Sequence, residues 1–119
     1  MSAFNIDFSI DYSTVNPLRV DFSDGTTFGG VSLDRHEWET FRNAIIHIGI
    51  ENIRKKYNPT YDGEALILHK RHSNYPESSR ELDDYYFLNT HGGAEYFKKV
   101  LEDIGNKLNI GIKVNILKT

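Results

Sequence analysis

The first 31 residues alternate between apolar and polar side chains with a period of two. Such a period gives a β-strand one buried face and one solvent-exposed face. The chain is therefore predicted to begin with antiparallel strands, whose solvent face carries Asp7, Asp11 and Asp21. The apolar positions of the pattern are Phe4, Ile6, Phe8, Ile10, Tyr12, Leu18, Val20 and Phe22.

The turn after this pattern, Ser23-Asp24-Gly25, can be predicted from strand register. A three-residue loop with Gly25 in the left-handed conformation pairs Val20 with Phe28 and keeps apolar side chains on one face. A two-residue loop would instead place Phe28 opposite Asp21. We therefore predict the three-residue loop.

A long helix is predicted to follow and to end before Pro59. Asp34 and Glu37 have the spacing of a capping box, which favours a helix start at Asp34. Gly49 is a weak point, because glycine inside a helix costs about 1 kcal/mol relative to alanine. The apolar stripe of this helix consists of Trp38, Phe41, Ile45, Ile48 and Ile53.

The remaining segments complete a predicted order of β-β-β-α-β-β-α-β. Residues 65–68 are continuously apolar, which predicts a central strand covered on both faces. Gly29, in the third strand of the N-terminal part, predicts a bulge or a close backbone contact. The polar residues 73–83 are predicted to form a functional loop. A strand over 85–88, a second helix and a final alternating strand follow. The predicted fold is α+β, a single domain of residues 1–119 with a mixed or antiparallel sheet and two helices packed on one face.

The net charge of −3 is unevenly distributed along the chain. Residues 1–41 contain seven acidic and two basic side chains, so they carry −5, and the remainder carries +2. Phosphate binding requires clustered lysine and arginine, so direct nucleic-acid binding is not expected of the N-terminal third. A protein with a basic surface is the predicted partner. The alternative is that these charges keep a sheet edge soluble.

Composition restricts the chemistry and the compartment. The absence of cysteine excludes disulfides, thiolate metal sites and a cysteine nucleophile. No apolar run approaches the roughly 20 residues of a membrane-spanning helix, and the N-terminus does not read as a signal peptide. We expect a cytoplasmic protein without membrane association.

No catalytic residue, metal ligand set or cofactor is predicted. His69 and His72 are three residues apart on a probable strand, so their side chains point to opposite faces rather than to one metal. Asp83 and Asp84 with Glu64 or Asp62 could suggest a restriction-type nuclease, but neither Asp62 nor Glu64 is followed two residues later by the lysine that such a site requires. No sequence motif nominates a serine nucleophile.

The most site-like short motif is the His91-Gly92-Gly93 turn. Two glycines at a helix N-terminus expose backbone N–H groups that can hold an anion, so Gly92 and Gly93 are candidate anion-binding residues. The simpler interpretation is a flexible helix cap.

By elimination, we predict a small inhibitor that blocks a toxin or nucleic-acid-handling enzyme by direct contact, in the manner of an immunity protein. This analogy with immunity proteins rests on size and charge, not on sequence. Its predicted contact residues are the acids of the first sheet and helix start and a second element in 75–84: Asp7, Asp11, Asp21, Asp24, Glu37, Glu39, Tyr75, Glu77, Glu81, Asp83 and Asp84.

Three alternatives remain open. The protein could be a phage-encoded inhibitor of a host defence nuclease, of the anti-CRISPR type. It could instead be a small-ligand-binding protein or enzyme that uses the turn at His91 with His69 or His72. The third alternative is an assembly subunit whose sheet edge pairs with its own copies.

Overall fold

The computed structural model describes residues 17–30, 36–61 and 63–116. Within them the chain has the predicted α+β fold, and every pairing between described strands is antiparallel. The predicted strand of residues 4–12, with Asp7 and Asp11, lies outside the described residues. The strands are β1 Leu18–Phe22, β2 Thr27–Gly29, β3 Thr60–Tyr61, β4 Glu64–Ala65, β5 Ile67–Leu68, β6 Ser79–Glu81, β7 Phe87–Asn89 and β8 Ile112–Ile116. The helices are α1 Glu37–Ile48, α2 Ile50–Lys56 and α3 Ala94–Leu108.

The first sheet has the order β2-β1-β8. Val20 pairs with Phe28 on one side and with Val114 on the other. The prediction of a three-residue loop is confirmed, and Gly25 in that loop has φ 95°. Leu18 and Val20 are fully buried and lie in the core with side chains of α1 and α3, so both helices pack against this sheet.

Gly29 ends β2 where the hairpin meets α1. A Cβ built on Gly29 would lie 2.0 Å from the carbonyl oxygen of Leu18 and 2.8 Å from the Thr40 side chain. The predicted close backbone contact is therefore confirmed. This contact fixes the hairpin against the first turns of α1.

The predicted long helix is divided into α1 and α2 at Gly49. Gly49 has φ 107°, which interrupts the helical conformation. Its N–H still bonds to the Ile45 carbonyl at 3.0 Å, and its carbonyl accepts from the Ile53 N–H at 3.1 Å. The predicted start at Asp34 is wrong, because the N-cap is His36, whose backbone is extended. Asp34 itself lies outside the described residues.

The second sheet has the order β5-β7-β6. The run 65–68 is buried from Leu66 onward, but it does not form the central strand. Leu66 interrupts it, because its N–H donates to the Pro59 carbonyl at 2.7 Å and its carbonyl accepts from Asn89 at 2.8 Å. The central strand is β7, which pairs with both β5 and β6. β3 and β4 form a separate two-stranded hairpin.

The segment 73–83 is not a simple loop, because it contains a 3-10 turn at Pro76–Ser78 and the edge strand β6. Ser79 is buried, and its hydroxyl oxygen accepts a hydrogen bond from the His72 N–H at 2.8 Å. A polar segment can pack in this way because its buried polar groups are hydrogen-bonded.

The core between α1 and α3 contains two stacked rings. Phe41 and Phe97 have ring centroids 4.4 Å apart and planes 15° apart. The apolar face of α3 is buried at Phe97, Val100, Leu101 and Ile104. Among the described residues, no helix has both the length and the apolar character needed to cross a membrane.

Candidate functional site

The first of two adjoining grooves lies between the start of α1 and the outer edge of β6, and has a volume of about 420 Å³. We call it the α1–β6 groove. Aromatic, basic and acidic side chains line it: Trp38, Glu39, Arg42, Asn43, Arg71, Glu77, Ser79, Arg80 and Glu81.

The second groove, of about 570 Å³, shares Trp38 and Arg80 with the first and extends to the N-terminus of α3. We call it the His91 groove. It combines aromatic, histidine and hydroxyl side chains: Pro17, His36, Glu37, Trp38, Ser78, Arg80, Thr90, His91, Gly92 and Phe97.

Trp38 and Arg80 form the partition between the two grooves. The guanidinium carbon of Arg80 lies 4.3 Å from the centroid of the Trp38 ring, which is a cation–π contact. The Arg80 Nε is buried and has no hydrogen-bond partner among the described residues. The His36 ring is parallel to Trp38 within 7°, with centroids 6.3 Å apart.

The outer edge of β6 is covered by arginine side chains. The Thr90 N–H donates to Ser78 O and the Leu82 N–H donates to Tyr86 O. Residues 78, 80 and 82 therefore bond towards β7, and the backbone groups of residues 79 and 81 point outward. The Arg71 Nη1 donates to the Ser79 carbonyl at 2.7 Å, and the Arg42 Nε donates to the Glu81 carbonyl at 2.6 Å. These bonds occupy carbonyls that could otherwise pair with another strand.

The lining of the α1–β6 groove has three arginines and three glutamates, and its formal charges cancel. No ion pair joins any of these arginines to a carboxylate of the described residues. The guanidinium groups of Arg42 and Arg71 bond to backbone carbonyls instead. Both kinds of charge are thus left to interact with a ligand.

Five of the predicted contact residues lie at these grooves. Glu39, Glu77 and Glu81 line the α1–β6 groove, and Glu37 lines the His91 groove. Tyr75 is 38% exposed, and its ring stacks on the His91 ring with centroids 3.6 Å apart. The helix start and the segment 75–81 are therefore neighbours in space.

Asp21 and Asp24 lie elsewhere, in the hairpin. Asp24 accepts hydrogen bonds from the Thr26 N–H at 2.8 Å and contacts the His47 Nε2 at 2.7 Å. The Thr26 N–H and then His47 lower the pKa of Asp24 to about 2, and a hydrogen bond from Arg19 lowers the pKa of Asp21. His47 is near the end of α1, about 15 Å along the helix axis from its start. The structure does not bring these two acids to the grooves.

Asp83 and Asp84 are exposed in the turn before β7. The Asp83 Oδ1 accepts from the backbone N–H groups of Tyr85 and Tyr86, at 2.8 and 2.9 Å. Because this bonding holds Tyr85 and Tyr86 in a turn, the predicted strand start at residue 85 is wrong, and β7 begins at Phe87. Asp83 therefore shapes its own turn.

The histidines of the predicted alternative site are separated. His72 is buried, and its Nδ1 accepts hydrogen bonds from the N–H groups of Asn74 and Tyr75 at 3.0 and 3.2 Å. The exposed His69 lies against Tyr86 instead, with ring centroids 5.1 Å apart. Over the described ranges, no cluster of three or more histidine and carboxylate side chains is placed to hold a metal ion.

The turn before α3 lies at the edge of the His91 groove. Gly93 is the N-cap of α3 and, because glycine has no side chain, it supplies no side-chain capping bond to the first turn. The Ser78 Oγ lies 3.4 Å from the His91 Nδ1. A Glu37 carboxylate oxygen lies 3.9 Å from a Cβ built on Gly93, so a negative charge already occupies the vicinity of this helix end. An added anion at Gly92 and Gly93 would be repelled by that charge.

Sequence reasoning missed the three arginines of the α1–β6 groove. Trp38 and Arg42 are four residues apart, which places them on one face of a helix. Nothing in the sequence, however, connects them to Arg71 and Arg80, because that connection is made by the tertiary packing of α1 against β6. Comparisons of the chain with family models, curated proteins and solved structures find no match.

Proposed function

We propose that this protein is a small inhibitor that binds a protein with a basic surface, such as a toxin or a nucleic-acid-handling enzyme, and blocks it by direct contact. One observation carries the proposal. The start of α1 and the segment 75–81, both predicted as contact elements, line one groove that is rich in side chains suited to protein binding.

The composition of the α1–β6 groove supports this role. Tryptophan, tyrosine and arginine are the side chains most enriched at the energetic centres of protein interfaces. Trp38 and Arg80 lie at the centre of the two grooves, and Tyr75 is exposed beside His91. Carboxylates that have no internal ion pair can attract lysine and arginine of a partner.

The test is affinity capture followed by measurement on the purified partner. The tagged wild-type protein captures the partner from source lysate, and a triple variant, Glu39→Lys with Glu77→Lys and Glu81→Lys, is compared with it. The matched control reverses three exposed acids outside both grooves, Glu51→Lys, Glu95→Lys and Glu102→Lys.

We expect the groove variant to bind the purified partner at least about tenfold more weakly than the control variant, because close charge pairs at interfaces contribute more than about 1.4 kcal/mol. Partner activity should be inhibited by the wild type and the control. Equal affinity of the groove variant and the control would contradict the proposal. The identity of the partner separates the immunity role from the anti-defence role, since the first predicts a toxin and the second a host defence nuclease.

A second candidate is a small-ligand site in the His91 groove. The observation that favours it is the volume of that groove together with the contact between Ser78 and His91. A thermal-shift screen with nucleotides and divalent metals tests it. A ligand at 100 times its dissociation constant stabilises the folded state by about 2.7 kcal/mol. A screen without any shift would exclude the ligands tested.

A further inference from the structure

We propose that the α1–β6 groove receives an acidic side chain of the protein partner, whose carboxylate is bound by Arg80 together with Arg42 and Arg71. This inference rests on the proposed function and deepens it. It predicts that the partner's contact segment is not uniformly basic but carries one acid among basic residues.

The first step of the argument is that two of the guanidinium groups are held in place. Arg42 donates to the Glu81 carbonyl, and Arg71 donates to the carbonyls of Ser79 and Pro76 at 2.7 and 3.2 Å. A guanidinium has five N–H donors in a planar arrangement, so these bonds leave further donors on each group. Anchoring of this kind reduces the entropy lost when a ligand binds.

The second step concerns Arg80, which belongs to both grooves. Its Nε is buried without a hydrogen-bond partner among the described residues, and its guanidinium lies on Trp38. The Nε itself is shielded from the grooves, but Arg80 lines both of them, so a ligand oxygen is expected to bind the terminal N–H groups of its guanidinium. Carboxylates accept two parallel bonds from a guanidinium, which makes them well matched to arginine.

The third step uses the charges of the lining. Glu39, Glu77 and Glu81 share the groove with the arginines but form no ion pair with them within the described ranges. A nucleic acid would bring a row of phosphates close to these three carboxylates, which opposes its binding. A peptide segment with one acid between basic residues satisfies both signs of charge. The arrangement therefore favours a protein partner over a nucleic acid.

The test uses the intrinsic fluorescence of Trp38, which is the sole tryptophan of the chain. The probe is the capped pentapeptide Lys-Ala-Glu-Ala-Lys, and its control is the same peptide with glutamine in place of glutamate. A third titration uses a short oligothymidylate. Binding is measured on the full chain by fluorescence and by calorimetry.

We expect the glutamate peptide to bind about tenfold more tightly than the glutamine peptide, since hydrogen bonds to a charged group are stronger than neutral ones. Arg80→Gln should abolish this preference, and Arg80→Lys should restore part of it. Arg19→Gln is the matched control, because it removes a positive charge from the exposed face of β1. Thermal unfolding checks that each variant is folded. If Arg80→Gln does not fold, Arg42→Gln is used in its place, and its peptide binding is measured on the monomer because Arg42 also covers the edge of β6.

Three results would overturn the inference: equal binding of the two peptides, including no binding of either; an unchanged preference in folded Arg80→Gln; or tighter binding of the oligothymidylate. Partner capture separates this failure from failure of the proposed function. If the glutamate reversals lose the partner and Arg80→Gln retains it, the proposed function stands and the inference fails. If both variants retain the partner, the proposed function fails as well.

Discussion

Replacement of Gly29 by alanine tests how the first hairpin positions the wall of the α1–β6 groove. A Cβ at this position would lie 2.0 Å from the Leu18 carbonyl oxygen and 2.8 Å from two side-chain atoms of Thr40. Thr40 is in the first turn of α1, two residues from Trp38. The added methyl group must therefore displace either β1 or the start of α1.

The cost has two components. Gly29 has φ 83°, and an alanine in the left-handed region costs about 1–2 kcal/mol. The Leu18 carbonyl also accepts a hydrogen bond from the Gly30 N–H at 3.0 Å, and loss of that bond in a buried position costs about 1–3 kcal/mol. We expect Gly29→Ala to lower the free energy of unfolding by about 2–5 kcal/mol, a large part of the roughly 5–15 kcal/mol of a typical domain.

Gly25→Ala is the matched control, because Gly25 has φ 95° but nothing lies within 4 Å of its built Cβ. Gly25→Ala should lower the free energy of unfolding only by the cost of the left-handed conformation, about 1–2 kcal/mol. Urea unfolding measures both variants, and thermal unfolding should show a drop of roughly 3–6 °C per kcal/mol for a chain of this length. Trp38 fluorescence should shift in Gly29→Ala alone. Equal stability of the two variants would refute the argument that Gly29 is required by close packing.

Three further predictions concern acid stability, a buried hydroxyl and the edge of β6. The pKa of Asp24 is lowered from 3.8 to about 2, so its carboxylate stabilises the folded state above pH 3.8 and loses this contribution as the pH falls towards about 2. Urea unfolding across this pH range should therefore show a smaller loss of unfolding free energy for Asp24→Asn than for the wild type. The Tyr57 hydroxyl donates to Asp103, so Tyr57→Phe should lower the free energy of unfolding by about 1 kcal/mol in the same assay, and an unchanged value would show that the bond is not stabilising. Arg42→Ala combined with Arg71→Ala uncovers two outward carbonyls of β6 and should cause self-association, which light scattering over a concentration range detects.

Local patterns allowed the hairpin and α3 to be predicted from the sequence. The register of Val20 with Phe28 follows from period-two alternation and a turn glycine, which are contained within a dozen residues. The start of α1 was not predictable in the same way. Asp34 and Glu37 satisfy the spacing of a capping box, but the extended backbone of His36 begins the helix at Glu37.

The grooves depend on contacts between distant parts of the chain. Polar composition indicated a loop at 73–83, but Ser79 is buried through a bond from the His72 backbone, and this allows β6 to form. The arginine side chains of Arg42 and Arg71 bond to main-chain carbonyls, which every residue possesses. Such bonds leave no pattern of complementary residue types in the sequence. The acids at 37–39 and 77–81 could therefore be nominated from sequence, while the arginines beside them could not.

The arginines of the α1–β6 groove combine two roles that experiments can separate. Arg42 and Arg71 cover the edge of β6 and also line the groove, so their loss should change both self-association and peptide binding. Arg80 is on the same strand, but its side chain lies on Trp38 and forms no bond to an outward carbonyl of β6 in the described residues. Its replacement should therefore weaken binding of the glutamate peptide while the protein keeps its oligomeric state. Self-association of Arg80→Gln would show instead that this side chain also protects the strand edge, and the peptide result would then have to be measured on the monomer.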